Sequence, residues 1–246
     1  MSPTTMMPPP PVVEPSPQAA PVNPPPPAAP SVDHDPARIL LHGLSWTTYL
    51  RILDETGNRR RTRLAFNRGV LEIISPGPIH EGDSYGFDRV ISITTEEARI
   101  ACRPYGSTTW KREDAEKGLE ADECYYFTAD KMSGAATAAR RKSKASSDYP
   151  FPDLAIEIDM RRPAVDRAEI YAALGVPEVW SFDDERLRID QLGDEGTYHE
   201  VAQSRFIPLR SDDIVRWVLR FEQAEDVTAW AIEFRDWVRA ELAGRG

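Results

Sequence analysis

At 246 residues the chain has room for one sizeable domain with an appendage; its net charge is −10 and 41% of its residues are hydrophobic. That balance excludes the basic footprint of a strong nucleic-acid binder, leaving polyanion contacts only to local patches. No stretch approaches the roughly 18 consecutive apolar residues of a membrane span.

Residues 1–36 hold 14 of the 22 prolines and neither Lys nor Arg. Such a segment favours polyproline II and cannot build a core, so it is expected to be a disordered tail. It lacks the basic and apolar regions of a secretory signal. Without the tail's three acids, 30 basic residues face 37 acidic ones, a body charge of −7. Cys102 and Cys124 form neither a disulfide framework nor a metal-binding pair, so a reducing, cytoplasmic location is expected.

Along the body, Ser45 caps a helix over Ser45–Glu55 with Tyr49, Ile52 and Leu53 at helical spacing. Arg63 to Ile74 reads as a hairpin around Asn67-Arg68-Gly69. Ser75-Pro-Gly-Pro78 ends it, and Ile79-His80-Glu81 opens a long helix through about Ala101. Residues 107–114 and 122–127 are expected strands, the second dense in β-formers. Residues 130–148 are small, polar and basic and read as a loop. Strand 153–160 follows, then a short helix from Val165 to Leu174 closed by Gly175. Val176–Phe182, Leu187–Leu192 and Tyr198–Val201 resume β structure, and 222–242 reads as a helix packed on the body. This order indicates an α/β (α+β mixed) fold with a central mixed sheet flanked by helices. The expected division is a tail (1–36), a domain (37–220) and a C-terminal helix (221–246).

The chemistry concentrates in Asp153-Leu-Ala-Ile-Glu-Ile-Asp159. Period-2 alternation puts Asp153, Ala155, Glu157 and Asp159 on one face and Leu154, Ile156, Ile158 and Met160 on the other. Acids repeated on a covered face call for a cation. If 122–127 pairs antiparallel with this strand, Asp122 comes beside Glu157 or Asp159, while Asp153 lies at the far end in a structural role. Neighbouring carboxylates are tolerated where Mg²⁺ or Mn²⁺ bridges them, and such a site suits phosphodiester hydrolysis. No lysine lies in the strand; the nearest basic groups are Arg161, Arg162 and Arg167. Two basic runs, Arg59–Arg63 and Arg140–Lys144, could supply backbone contacts to nucleic acid.

The run PDLAIEID…DRAEIYAALGVPEVW, with LEIISPGPIHE upstream and DECYYF between, resembles the Uma-type restriction endonuclease family of the PD-(D/E)XK nuclease superfamily. The likeness spans roughly residues 40–210. It implies a restriction-endonuclease-like fold and a Mg²⁺-dependent (or Mn²⁺-dependent) endonuclease site acting on nucleic acid, DNA in the first instance. Carried across, the first acid is Asp122 and the second Glu157. The family's lysine on the following helix corresponds to Arg167, which keeps the charge but cannot act as a general base. His80 matches the histidine before the first long helix. Glu81 is the resemblance's candidate for the acid that completes the metal shell, with Asp159 in reserve. Restriction-type enzymes often pair to cut two strands, which leaves a homodimer open. The alternative is the same fold with a decayed site, acting in nucleic-acid binding or protein interaction.

Overall fold

Short β-forming runs separated by turn residues build two sheets here, and the helices between them cover both faces of the larger one. The computed structural model describes residues 38–57, 62–75, 77–143, 145–158 and 163–244. The expected tail, Arg59–Arg61, Lys144, Asp159, Arg161 and Arg162 lie outside the described residues.

The first sheet has the order β1-β3-β2-β6-β5 and is antiparallel throughout. Its strands are β1 (Arg38–His42), β2 (Arg63–Asn67), β3 (Val70–Ile74), β5 (Thr108–Arg112) and β6 (Lys117–Ala121). Arg68 and Gly69 form the two-residue turn between β2 and β3 with φ of 45° and 89°. Positive φ at both positions suits the right-handed twist of a hairpin, and the glycine meets that demand without a Cβ clash. The helix α1 (Trp46–Thr56) packs Trp46 and Tyr49 onto Leu64, Phe66 and Leu71 of this sheet. Its Ser45 cap accepts the Thr48 N–H at 3.2 Å, as the spacing predicted.

The second sheet runs β11-β10-β9-β8-β7-β4. It comprises β4 (Arg103–Pro104), β7 (Glu123–Tyr126), β8 (Leu154–Ile158), β9 (Glu178–Phe182), β10 (Leu187–Leu192) and β11 (Tyr198–Val201). Only β8 and β9 pair in parallel, joined through α4 (Arg167–Leu174); the other neighbours are antiparallel. The mixed sheet is therefore as expected, but the β structure is divided: the strand read as 122–127 begins one residue after β6 of the other sheet ends.

The alternation read for β8 holds, and both of its faces are covered. Leu154, Ile156 and Ile158 join Trp180, Phe182 and Ile189 against α2 (Pro78–Ala98), α5 (Ser211–Glu222) and α6 (Val227–Ala243). Ala155 and Val179 face the other way, into a cluster with Ile170, Tyr171 and Leu174 of α4. Fully burying a Leu or Phe side chain stabilises by about 1.5–3 kcal/mol, so these two clusters fix the strand's register. A one-residue slip would exchange its acidic and apolar faces.

Two elements differ from the sequence reading. Residues 130–148 are not one loop: α3 (Ala129–Arg140) occupies most of them. Its start is held from outside by Asp153, whose carboxylate accepts the N–H groups of Phe127 and Thr128, each at 2.7 Å, and pairs with Lys131 at 2.9 Å. This is the structural role expected of Asp153. The C-terminal region holds two helices, and the expected boundary at 220/221 falls inside α5.

Candidate active site

Asp122 is the single residue between β6 and β7. The β7–β8 register puts Glu123 opposite Ile156, and the Asp122 N–H bonds the Ile156 carbonyl at 3.2 Å, which brings Asp122 beside the segment that carries Glu157. The two acids thus come from neighbouring stretches of the sheet, Asp122 at the entry to β7 and Glu157 within β8. Both are buried, at 4% and 2% exposure.

Each carboxylate is met by cations and donors. Asp122 Oδ1 accepts from His80 Nε2 at 3.0 Å and Arg63 Nε at 3.3 Å, and Oδ2 accepts the Ile158 N–H at 2.9 Å. Arg63 also reaches Glu120 Oε1 at 3.2 Å. Glu157 Oε2 accepts from Arg167 Nη1 and Oε1 from the Tyr171 hydroxyl. Burial alone would push the Asp122 carboxyl up, but His80, the Arg167 charge and the Ile158 N–H outweigh it and hold the group below its ordinary value. Burial, and then the Glu157 charge, raise the Tyr171 phenol well above its ordinary range, so it remains a donor.

His80 reaches Asp122 because it lies in the first turn of α2 on the buried side. Glu81, about 100° further round the helix, is exposed, and no described contact joins it to Asp122 or Glu157. The residues at helical spacing from His80 are Asp83 and Ser84. Ser84 donates to Glu123 at 2.6 Å, and burial pushes the Glu123 carboxyl up to about 7. Asp83 is fully buried, and neither of its oxygens has a hydrogen-bond partner among the described residues. Sequence reasoning missed Asp83, although the i, i+3 step from His80 was there to find. It also placed Arg63 in a basic run for contacts to nucleic acid and assigned Tyr171 no part in the site. Tyr171 is fully buried, and its hydroxyl is spent on Glu157.

Thus the structure brings together Asp122, Glu157, Arg167 and His80, leaves Glu81 apart, and Asp159 lies outside the described residues. No three His, Cys, Asp or Glu among the described residues converge into a set that could hold a metal. The donor chemistry of Asp122 and Glu157 still fits a hard cation. Mg²⁺ is commonly bound through one or two carboxylates and completed by water and substrate phosphate. Asp83, buried without a hydrogen-bond partner among the described residues, adds a carboxyl on the helix that carries His80.

Two sheets with covering helices, buried acids from neighbouring stretches of one sheet and a cation returned by the next helix make this an α+β protein of the restriction-endonuclease-like class. Residues 46–221 match Uma2, putative restriction endonuclease. That span is most of the chain, and the protein belongs to this family. No curated protein matches the chain. None of the described helices is long and apolar enough to cross a membrane.

Proposed function

We propose that the protein is a divalent-metal-dependent endonuclease that hydrolyses phosphodiester bonds in nucleic acid, DNA in the first instance, with Asp122 and Glu157 holding Mg²⁺ or Mn²⁺. One observation carries the reading: two buried acids lie at the entry to one strand and within its neighbour, with cationic side chains already drawn to both. Membership of a restriction endonuclease family supports it.

A bound divalent cation would supply charge neutralisation at the scissile phosphate and a more acidic water. The chain's own groups do the rest. His80 and the Ile158 N–H fix the orientation of the Asp122 carboxylate. Tyr171 fixes that of Glu157 from inside the core. Arg167, which pairs with Glu157 in this structure, would stabilise charge that develops on a phosphate oxygen; as a guanidinium it does not take up a proton. Asp83 is a candidate to share the site's charge from α2, in the role the sequence reading gave to Glu81.

The test is cleavage of plasmid and single-stranded DNA with Mg²⁺ or Mn²⁺ by the wild type, Asp122→Ala and Glu157→Ala. Loss of about a hundredfold or more in both variants is expected; cleavage that survives both removes the assignment. A second reading, a non-catalytic module on the same fold, is favoured by Arg167 standing where the family resemblance places a lysine, paired to Glu157. Calorimetric titration with Mn²⁺ and the gain or absence of cleavage in Arg167→Lys separate the two. Cutting both strands of a duplex would call for a homodimer, to be read from the mass of the DNA-bound species.

A further inference from the structure

Beside Glu157 the structure opens a cavity of about 780 Å³ lined by Glu157, Arg167, Ser181, Arg186, Arg188 and Tyr198, among others. It lies on the α4 side of the second sheet, and the strand registers order its floor. Glu157 pairs with Ser181 across β8 and β9, and Ser181 pairs with Arg188 across β9 and β10. One cross-sheet row therefore reads Glu157, Ser181, Arg188. Side chains in such a row leave the same face. At about 4.8 Å per strand, the Arg188 backbone stands roughly 10 Å from that of Glu157.

The acids around this cavity are already engaged within the fold. Asp166 caps α4 by accepting the Glu169 N–H at 3.0 Å, and Asp183 accepts the Arg186 N–H at 2.9 Å. Glu157 is held by Arg167 and Tyr171. Arg186 reaches out of the row to Glu200. Asp190 is 10% exposed and accepts from Arg188 Nε at 2.6 Å. That bond anchors the guanidinium by its inner nitrogen, while the Arg188 side chain is 49% exposed. Among the described residues its two terminal amino groups make no hydrogen bond, so a fixed pair of donors faces the cavity. A guanidinium held in this way matches the bidentate geometry of a phosphate.

We propose that Arg188 forms a subsite for a backbone phosphate flanking the scissile one, so that the strand being cut crosses the cavity over Ser181. This rests on the nuclease reading and adds the path of the substrate. Arg188 is a binding residue here, outside the reacting atoms.

The experiment measures binding of the full chain, in EDTA, to a fluorescein-labelled DNA oligonucleotide between 50 and 200 mM NaCl. The wild type is compared with Arg188→Ala, Arg188→Gln, Arg188→Lys and, as a control on α1 outside the cavity, Arg51→Ala. Arg188→Gln keeps a donor for Asp190 and guards against a folding defect in the alanine variant. Loss of one phosphate contact is expected to weaken binding roughly five- to tenfold and to flatten the salt dependence by about one unit of slope, with charge retained in Arg188→Lys. Arg51→Ala should match the wild type. Binding by Arg188→Ala and Arg188→Gln with the wild-type slope overturns the subsite and leaves the nuclease reading standing. A wild type that binds no oligonucleotide and cuts none with Mn²⁺ overturns both.

Discussion

Arg167→Ala tests whether the guanidinium stands in for the cation of the proposed site. Arg167 and Glu157 are 11% and 2% exposed, so the substitution leaves a carboxylate buried beside Asp122 without its strongest partner. Breaking a buried pair destabilises by about 3–5 kcal/mol. Tyr171 still donates to Glu157, which favours the lower end, about 3 kcal/mol. For a domain of this size that lowers Tm by about 6–12 °C in EDTA. A cation that binds only the folded chain at about a hundredfold over its Kd restores about 2.7 kcal/mol. Mn²⁺ should therefore recover most of the loss in the variant. In the wild type, where the cation must first displace Arg167, the Mn²⁺ shift should be smaller at the same concentration. Thermal melts by circular dichroism, with and without MnCl₂, read both effects without relying on catalysis. A variant that melts within about 2 °C of the wild type in EDTA, or the same Mn²⁺ shift in both proteins, would refute the reasoning.

Two further outcomes follow from buried carboxylates other than Asp122 and Glu157. Burial holds the Glu123 carboxyl protonated up to about pH 7 in the fold, whereas the unfolded chain releases that proton near its ordinary pKa of about 4.3. The folded state thus binds more protons between those values, and this contribution to stability is lost as pH rises through them, by up to about 3 kcal/mol. Glu123→Gln should gain on the wild type across that window in EDTA and level off above it; parallel urea midpoints for the two proteins at pH 5 and pH 8 would contradict this. Glu178, fully buried, accepts from Trp180 Nε1, Gln191 Nε2 and the Arg205 N–H at 2.8–2.9 Å, and also from the Ser204 hydroxyl. Glu178→Ala orphans four donors and should lower unfolding stability by about 3–5 kcal/mol; a loss under about 1 kcal/mol would mean the hub contributes little.

What could be read in the sequence was periodic and local. The two faces of β8 follow from its alternation, and the antiparallel pairing of β7 with β8, expected to bring Asp122 beside Glu157 or Asp159, is present. Gly175 ends α4 at φ 69°, as its position after Leu174 suggested. The misses share a different physics. Residues 129–140 lack a strong apolar stripe, and their helix is held at its start by Asp153, 24 residues beyond its first residue. Strand β1 is exposed at every residue; its pairing with β3 is a long-range event that no local pattern announces. By contrast, Ile214, Trp217, Val218 and Phe221 of α5 do repeat at helical spacing, so that helix was legible and was passed over. In the site, Glu81 was named and Asp83 was not, because which acid of α2 is buried depends on the rotation of that helix, and only the packing of its buried face decides it.

Asp122 occupies a connection with no slack. The chain leaves one sheet at Ala121 and enters the other at Glu123, so both sheets set the position of this acid and neither can shift without moving it. An extra residue here would invert the faces of β7 relative to β6 and carry the carboxylate away from Glu157, whereas the turn between β10 and β11 can lengthen without touching the site. In this chain, tolerance to insertion therefore maps the site in negative. A scan of single-residue insertions should find this junction among the least forgiving surface-distant connections, even where each inserted residue is no larger than alanine.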